Sequence, residues 1–345
     1  MNKTLSFLIG AALLGSTGLA SAEELGLQLN WTAGGDHAPI YYALQEGWYE
    51  DAGVDLAVRQ GSGSGAAATA LDVGQAEVAI IDTPTALQFL ARGSKFTGVM
   101  VAYNDNAAGL YWRRSSGIES VADIAGHSIG APAFDATRQM WVPAARKLGL
   151  DPDSVNWVNL QPTGKVAALQ SGAVDVTTHF YSVHFIYEDI FGDDLGYALL
   201  RDHGMNTYSL AYYVADSVIA EKEETVRNFV QTTQRAFAFC LETPDPCSQA
   251  LSSAVSMRLS DAARQFEYAA RVMPGVGNDL PLGSWNMDRI TDDYEVVREA
   301  YELDEFDATT KFTNDFIDES ISYPITNHLS PWRIPFAPGI FFKRT

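Results

Sequence analysis

Strand-like and helix-like segments alternate along the first part of this chain, and this alternation limits the available folds more than any other feature. LGLQLN alternates apolar and polar residues with period two, and the segment after Pro39 has a helical pattern that ends at Gly53. The same order recurs in DLAVRQ with a helix over 66–71, in EVAIID with PTALQFLARG, and then in the strand FTGVMVAY. Repeated strand-then-helix order predicts an α/β fold with mostly parallel sheets and helices on both faces.

A second α/β series begins near residue 111. It contains the short helix SVADIAG, the strand HSIGAPA, the helix ATRQMWVPAARKLGL, the strands VNWVNL and AVDVTTHF, and a helix over 182–190. From residue 216 the pattern changes to long amphipathic helices, two of which we expect to begin after the N-cap residues Ser260 and Ser284. The chain is therefore predicted to form two α/β lobes and a helical C-terminal region.

The N-terminus has the features of a secretory signal peptide. Lys3 supplies a positive charge, residues 5–14 form an apolar run, and Ala20-Ser21-Ala22 is a small-residue cleavage signal. The alternative is a buried N-terminal helix. No later segment has the roughly 18 consecutive apolar residues that a membrane span needs. We expect removal of residues 1–22 and export to the periplasm, with the Pro-rich SPWRIPFAPGIFFKRT as an extended tail.

The net charge limits the partners of this chain. It contains 23 Lys and Arg residues against 43 Asp and Glu residues, a formal net charge of −20 at pH 7. Such an acidic surface repels phosphate backbones and anionic lipid head groups, which disfavours nucleic acid and membrane surfaces as partners.

Both cysteines lie in one short segment. Cys240 and Cys247 flank a Pro-Asp-Pro turn in FCLETPDPC. An exported chain meets oxidising conditions, so we expect a disulfide that closes a turn between two helices. The alternative is two free thiols, and a metal site is not expected because no His lies nearby.

The segment from Asn30 to Asp55 has the pattern N-W-x5-H-x-P-I-Y-x-A-x3-G-x-Y-x3-G-x-D. It resembles the periplasmic substrate-binding proteins of ABC importers in the superfamily that takes up thiamine-pyrimidine precursors, aliphatic sulfonates, taurine and nitrate, and is most similar to the thiamine-pyrimidine branch. Other segments agree with this superfamily, among them ALDVGQAEVAI, ALQFLARG, VADIAGHSIGAPA, VAALQSGAVDV and VADSVIAEKEETVRNFVQTTQRAF. The resemblance extends to about residue 245 and fades after it.

The resemblance implies a two-lobed type II periplasmic-binding-protein fold that holds a small molecule between its lobes. Lobe 1 would comprise residues 23–108 and 212–345, and lobe 2 residues 109–211. The implied partner is an inner-membrane ABC permease, and we expect a monomer without a cofactor or metal. In an open parallel sheet the strand carboxyl ends and the following helix N-termini face the crevice, so residues 31–42 are expected to line it.

Three side chains of this segment are ligand candidates. Trp31 can stack on a flat ring or pack as a core residue. His37 can hydrogen-bond a ring nitrogen of the ligand or cap the helix that it opens. Tyr41 and Tyr42 cannot both face the cleft, because consecutive helical positions diverge by about 100°, and the resemblance favours Tyr41.

Two further strand ends of the first lobe supply candidates. The helix that follows GSGSG has free N–H groups that attract an anion or a carbonyl oxygen, although a flexible turn explains the glycines equally well. Asp82 can accept from an exocyclic amine or act as an N-cap. The candidate residues here are Gly61, Ser62, Gly63, Ser64, Asp82 and Thr83.

The second lobe supplies the remaining candidates. Arg138 matters most for an anionic ligand, but it can equally be a surface helix residue. The residues expected to contact the ligand from this side are Phe134, Asp135, Arg138, His179 and Tyr181, with Asn206 and Tyr208 near the return to the first lobe.

An enzymatic function is not expected. A eukaryotic thiamine-pyrimidine synthase resembles this chain in fold and N-terminal pattern, and it consumes its own His together with pyridoxal phosphate held by a Lys. The matching stretch from Glu77 to Gly93 contains neither Lys nor His, and the cysteine-rich motif of that enzyme is absent. There is also no G-x-S-x-G, no P-loop and no clustered metal-ligand spacing.

The sequence therefore predicts a solute-binding protein that presents its ligand to a permease. The aromatic residues Trp31, Tyr41, Phe134 and Tyr181 favour a flat nitrogen heterocycle such as an aminopyrimidine. GSGSG and Arg138 would instead suit a sulfonate, taurine, nitrate or a carboxylate. An exported chemosensory receptor would share the binding step and differ in its membrane partner.

Overall fold

The computed structural model describes residues 22–274 and 279–323. Residues 1–21 of the predicted signal peptide and the Pro-rich final segment lie outside these ranges. The strands are β1 Glu23–Gln28, β2 Val54–Arg59, β3 Val78–Asp82, β4 Phe96–Val101, β5 Ala108–Arg113, β6 Ser128–Ala131, β7 Asn156–Asn159, β8 Val176–Phe180, β9 Leu195–Leu199 and β10 Leu210–Ala215.

The helices follow the strands in the order expected of an α/β chain. They are α1 Ala38–Gln45, α2 Trp48–Asp51, α3 Ser64–Asp72, α4 Thr83–Ala91, α5 Ala136–Gln139, α6 Trp141–Lys147, α7 Lys165–Ser171, α8 His184–Phe191, α9 Asp216–Glu221, α10 Glu223–Glu242, α11 Pro244–Val255, α12 Leu259–Ala270 and α13 Met287–Tyr301. Within the described ranges, no helix is both long and apolar enough to cross a lipid bilayer.

Two five-stranded sheets form the two lobes. The first sheet has the order β2-β1-β3-β10-β4 and the second has the order β7-β6-β8-β5-β9. In each sheet one strand, β10 or β5, pairs antiparallel with both of its neighbours, whereas β1 to β3 and β6 to β8 pair in parallel. The predicted fold class, two α/β lobes with a helical C-terminal region, is confirmed.

The chain passes between the lobes twice. It leaves the first sheet after β4 and enters the second at β5, and it returns after β9 to insert β10 between β3 and β4. The sequence pattern missed β5 and β9. AGLYWR in β5 is buried at five of its six positions, so it has no alternation of apolar and polar residues to mark it as a strand. The lobe limits given above stay a prediction.

The predicted helix over residues 136–150 is broken at Met140. Pro143 has no backbone N–H to donate to the carbonyl of Gln139, and its ring crowds that carbonyl, so α5 ends and α6 begins there. The freed Gln139 carbonyl instead accepts from the Gln88 amide at 3.1 Å and from the Tyr301 hydroxyl, both in the first lobe. The carbonyl that the helix break frees therefore takes part in a contact between the lobes.

The two predicted N-caps are wrong by two residues each. α12 follows Arg258, whose side chain makes no capping bond, and α13 follows Asn286. The Asn286 side chain accepts from the backbone N–H groups of Asp288 and Arg289 at 3.0 and 3.2 Å, so it takes the role expected of Ser284.

The helical C-terminal region completes the first lobe. α10 buries Phe229 and Phe237 against Tyr212 of β10, and Phe239 stacks on Tyr42 of α1 with ring centroids 4.7 Å apart. Cys240 and Cys247 are disulfide-bonded and fully buried, which confirms the predicted bridge between α10 and α11.

We predict that this disulfide stabilises the protein by about 2.5 kcal/mol, the chain-entropy contribution for so short a loop. Urea unfolding of the wild type with and without reductant measures the difference. The double variant C240A/C247A is the control, because its unfolding midpoint must not respond to reductant. A wild-type midpoint that also ignores reductant would contradict the prediction.

Candidate ligand-binding site

A cavity of about 290 Å³ lies between the lobes, where the carboxyl ends of the strands meet. The first lobe contributes the loop after β1, residues 30–34 and 36, and Ser64 at the start of α3. The second lobe contributes residues 135, 136, 162, 163, 165 and 166, the end of β8, and residues 182, 183 and 186 after that strand. Met257 of the loop between α11 and α12 and Gln265 of α12 close the remaining side.

Trp31 and Lys165 meet across the cavity from opposite lobes. Lys165 Nζ lies 4.6 Å from the centroid of the Trp31 ring, 2.5 Å from Asp135 Oδ2 and 3.1 Å from Thr178 Oγ1. The three donors of the ammonium therefore have a carboxylate, a hydroxyl and an aromatic face as partners. Burial lowers the pKa of Lys165, and the adjacent Asp135 carboxylate opposes that shift.

Asp135 has donors on both carboxylate oxygens. As the N-cap of α5 it accepts from the backbone N–H of Arg138, and Thr178 donates to the same oxygen, Oδ1, each at 3.1 Å. Oδ2 faces Lys165. Asp135 and Lys165 thus form a buried, internally neutralised pair in the wall of the cavity.

His179 lines the cavity beside Trp31. The two rings are edge-to-face with centroids 6.4 Å apart, and Nδ1 lies 2.6 Å from the Tyr187 hydroxyl. Burial first, and then the neighbouring Lys165, lowers the pKa of His179 well below its ordinary value. The imidazole is therefore neutral near pH 7 and can act as a hydrogen-bond partner but not as a counter-ion.

His37 lies behind the cavity wall and fixes it. Its Nδ1 accepts from the Gly34 N–H at 3.0 Å, so Nε2 carries the proton and donates to Asn30 Oδ1 at 3.0 Å. Burial lowers the pKa of His37, which keeps the ring in this neutral form. His37 therefore orients Asn30 and Gly34, both of which line the cavity, and does not line it itself.

Two amide side chains are left with free NH₂ groups by these bonds. Asn30 Oδ1 accepts from His37, and Gln265 Oε1 accepts from the Gly35 N–H at 2.9 Å. Neither NH₂ group has a partner in the described part of the chain, and both residues line the cavity. The cavity therefore offers these two amide donors in addition to the carboxylate of Asp36.

The amides of the glycine-rich segment are engaged by the protein itself. Gly61 donates to the Trp31 carbonyl at 3.0 Å, and Gly63 donates to the Asn30 carbonyl at 2.7 Å. Gly65, in the first turn of α3, donates across the cleft to the Phe134 carbonyl at 3.2 Å. These N–H groups hold the cavity loop and close the lobes, so they are not free for an anion. Ser62 is exposed and outside the lining.

Asp82 and Thr83 are buried behind Ser64. Ser64 Oγ accepts from the Asp82 N–H at 3.0 Å, and the Asp82 carboxyl accepts from the Ser209 hydroxyl at 2.9 Å. Thr83 donates to the Ser209 carbonyl. Asp82 occupies the N-cap position of α4 but makes no capping bond through its side chain. Burial raises the pKa of Asp82 to about 7, with the charge of Asp135 adding to the shift.

Several predicted ligand residues lie outside the cavity lining. Tyr41 is half-buried and 3.4 Å from the Gln60 amide. Phe134 is 52% exposed, and both its carbonyl and its ring edge lie beside Gly65 of the other lobe. Arg201 stacks on Tyr181 with its guanidinium 4.6 Å from the ring centroid. The lining therefore brings together Trp31, Ser64, Asp135 and His179 of the predicted set.

Near the return crossover, Asn206 and Tyr208 serve the backbone of the first lobe. Asn206 Oδ1 accepts from the Asn106 N–H at 2.8 Å, and the Tyr208 hydroxyl accepts from the Asn286 N–H at 3.0 Å. Both side chains are thus occupied away from the cavity.

Arg138 lines a different, larger groove of about 540 Å³. Its guanidinium lies 4.9 Å from the Trp157 ring centroid and donates to the Ala131 carbonyl at 3.1 Å. We place the candidate site in the smaller cavity because buried, oriented polar groups of both lobes converge there. In the groove Gln88 is buried and bonded to the Gln139 carbonyl, whereas Arg92 and Asp153 are exposed.

Asn30, Lys165 and Gln265 line the cavity and were not predicted from the sequence, and Asp36 falls within the predicted residues 31–42 but was not named as a ligand candidate. Lys165 stands in the ordinary helix start PTGKVAALQ, and Gln265 lies on an amphipathic helix far along the chain. Asp36 did carry a signal, because it directly precedes His37 in the conspicuous GGDH turn. In the described residues no group of three or more His, Cys, Asp or Glu side chains is arranged to hold a metal ion.

The architecture and the interlobe cavity define a protein of the periplasmic-binding-protein fold. The sequence profile described as "NMT1/THI5 like" matches residues 35–247, and the chain belongs to that family. A curated relative from Legionella pneumophila, named 4-amino-5-hydroxymethyl-2-methylpyrimidine phosphate synthase, is 22% identical over 303 residues, which are 85% of this chain and 92% of the relative.

Solved structures agree with the fold. The alkanesulfonate-binding protein SsuA of Xanthomonas axonopodis, bound to MOPS, has a TM-score of 0.65 at 15% identity and covers 85% of this chain and 99% of its own. The periplasmic aliphatic sulphonate binding protein SsuA of Escherichia coli has a TM-score of 0.64 at 16% identity, with coverages of 94% and 100%. The superfamily resemblance and the predicted fold are confirmed.

We predict that Gly63→Ala opens the lobes. Gly63 has φ of +146°, and a Cβ there would lie 2.1 Å from the Phe134 carbonyl oxygen, a backbone atom that cannot rotate away. Small-angle X-ray scattering should show a larger radius of gyration for this variant.

Gly74→Ala is the matched control for that measurement. Gly74 also has positive φ, +73°, but a Cβ there meets nothing within 4 Å, so the control carries backbone strain without the interlobe clash. Equal radii of gyration for Gly63→Ala and the control would show that Gly63 does not govern closure.

We predict that Asp82 makes the protein less stable as pH rises. Because its pKa is about 7 when folded and near 4 when unfolded, the folded state retains the proton between these values, and stability falls as pH rises through 7. Asp82→Asn should remove up to about 4 kcal/mol of the decline in unfolding free energy between pH 4 and pH 8.

Asp293→Asn provides a second test of the same effect, because burial also raises the pKa of Asp293 to about 7. This variant should likewise reduce the decline in unfolding free energy between pH 4 and pH 8. Urea unfolding at each pH measures the slopes. If Asp82→Asn keeps the wild-type slope, the carboxyl at position 82 does not retain its proton on folding.

Proposed function

We propose that this protein captures a small solute between its lobes in the periplasm and presents it to the permease of an ABC importer. The interlobe cavity carries this proposal, because both lobes supply oriented polar groups to it. At about 290 Å³ it is of the size that holds a compound of one or two rings. We expect the protein to act as a monomer in this role.

We favour a flat nitrogen heterocycle as the ligand. Trp31 supplies an aromatic surface, and the NH₂ groups of Asn30 and Gln265, together with neutral His179, supply hydrogen bonds at the edges. A ring with both acceptor nitrogens and donor amines satisfies such a set, whereas a ligand without them leaves buried polar groups unpaired.

A small anion is the second candidate, and the names of the sulfonate-binding neighbours favour it. Two features of this chain weigh against it. The Gly61, Gly63 and Gly65 amides are already hydrogen-bonded, and Arg138 faces the other groove. The cation inside the cavity, Lys165, is neutralised by Asp135.

An enzymatic role is favoured by the name of the Legionella relative and by a lysine in the cavity. However, the β3–α4 stretch from Glu77 to Gly93 does not fit a pyridoxal phosphate site of the kind that the synthase resemblance implies, since it contains neither Lys nor His and its Asp82 is buried under Ser64. Lys165 has partners for all three of its donors. We therefore propose binding without catalysis.

We predict that Trp31→Ala weakens the binding of 4-aminopyrimidine about ten- to a hundredfold, because the ring loses its aromatic support. Arg138→Ala should change the affinity less than about twofold, since Arg138 lies outside the cavity. Calorimetric titration of both variants and the wild type measures this, with taurine and nitrate titrated in parallel.

The same titrations decide between the ligand classes. If taurine or nitrate binds the wild type, and Arg138→Ala abolishes that binding while Trp31→Ala leaves it intact, the heterocycle proposal is overturned in favour of the anion.

A further inference from the structure

We propose that Asp36 sets the charge of the ligand, so that the cavity selects cationic heterocycles of the amidine type, in which a protonated ring nitrogen and the adjacent amino group both donate to the Asp36 carboxylate. This inference rests on the proposed function, because it assumes that the ligand lies in the interlobe cavity.

Asp36 is a nearly buried carboxylate that lacks a hydrogen-bond donor. Its side chain is 12% exposed and lines the cavity. Asp135 and Asp82, by contrast, accept from neighbouring groups. Across residues 22–274 and 279–323, no hydrogen bond reaches the Asp36 carboxylate. His37 Nδ1 lies 3.2 Å from Asp36 Oδ1, but its lone pair already accepts from the Gly34 N–H.

An unpaired charge in such a position is costly, and a ligand cation removes the cost. A carboxylate taken out of water is stabilised only by a counter-charge and by donors on its lone pairs. Donors from the protein occupy lone pairs of Asp135 and Asp82. The lone pairs of the Asp36 carboxylate have no such donor among the described residues.

The other charges of the cavity cancel. Lys165 pairs with Asp135, and burial lowers the pKa values of His179 and His37, so that both rings are neutral near pH 7. Asp36 is thus left as the uncompensated charge among the described lining residues. A cation gains from this arrangement, whereas an anion meets a like charge in a low-dielectric space.

The space beside Asp36 admits a flat edge. A Cβ on Gly34 would lie 3.2 Å from Asp36 Oδ1 and 2.8 Å from Gln265 Oε1, so the missing side chain at Gly34 keeps the gap between these two residues open. Planar groups with two parallel N–H donors bind carboxylates in a bidentate manner, which is the geometry of a protonated ring nitrogen next to an amine.

The test uses two isomers that differ only in where the amine stands. In 2-aminopyridine the amine is adjacent to the ring nitrogen, and in 3-aminopyridine it is not. NMR titration of the wild type should show about tenfold tighter binding of 2-aminopyridine. Binding above the pKa of the free compound should take up protons, which an indicator dye detects in weakly buffered solution.

Asp36→Asn should remove both the preference and the proton uptake, because the amide keeps the shape and loses the charge. Asp55→Asn is the matched control, since Asp55 is exposed on β2 and away from the cavity. Its affinities should equal those of the wild type. The unfolding midpoint of each variant verifies that it is folded.

The outcomes separate this inference from the proposed function. Equal affinities of the wild type for the two isomers without proton uptake, both sensitive to Trp31→Ala, overturn the role of Asp36 and leave the proposed function in place. The proposed heterocycle ligand itself is overturned if neither isomer nor 4-aminopyrimidine binds the wild type.

Discussion

The contact of Lys165 with Trp31 and Asp135 is the interaction on which the site depends. It places an ammonium from the second lobe on an aromatic face of the first, at 4.6 Å, and neutralises it with a carboxylate of its own lobe at 2.5 Å. The pair keeps its charges compensated within the second lobe, so separation of the lobes breaks the aromatic contact without exposing an unpaired buried ion. The cavity wall thus contains one internally compensated electrostatic unit.

Around that pair, the first lobe uses its backbone groups to hold the cavity loop. The Gly61 and Gly63 amides bind the carbonyls of Trp31 and Asn30, and His37 orients the Asn30 side chain from behind. Most of the polar groups that we expected to contact the ligand thus form hydrogen bonds within the protein and hold the cavity wall in place. What remains for a ligand is the Trp31 surface, a few amide donors and the Asp36 carboxylate.

The fold could be predicted from the sequence because it depends on periodic patterns, whereas the site depends on contacts between distant segments. The alternation of strand and helix patterns predicted the two lobes, and the Asn30–Asp55 pattern led us to expect Trp31 at the crevice, where it lies. Lys165 and Gln265 carry no local signal, and only the crossing of the chain brings them to the cavity. Arg138 lies on α5, which does border the cavity, but its side chain packs on Trp157 on the opposite face of that helix. Sequence spacing alone does not determine this orientation.

A crystal structure of the protein with 4-aminopyrimidine tests the central claim most directly. We predict that the ring lies between the lobes, within about 4 Å of Trp31, with the Lys165–Asp135 pair intact beside it. Density for the ring in the groove of Arg138 and Trp157, or on the surface of a single lobe, would contradict the account.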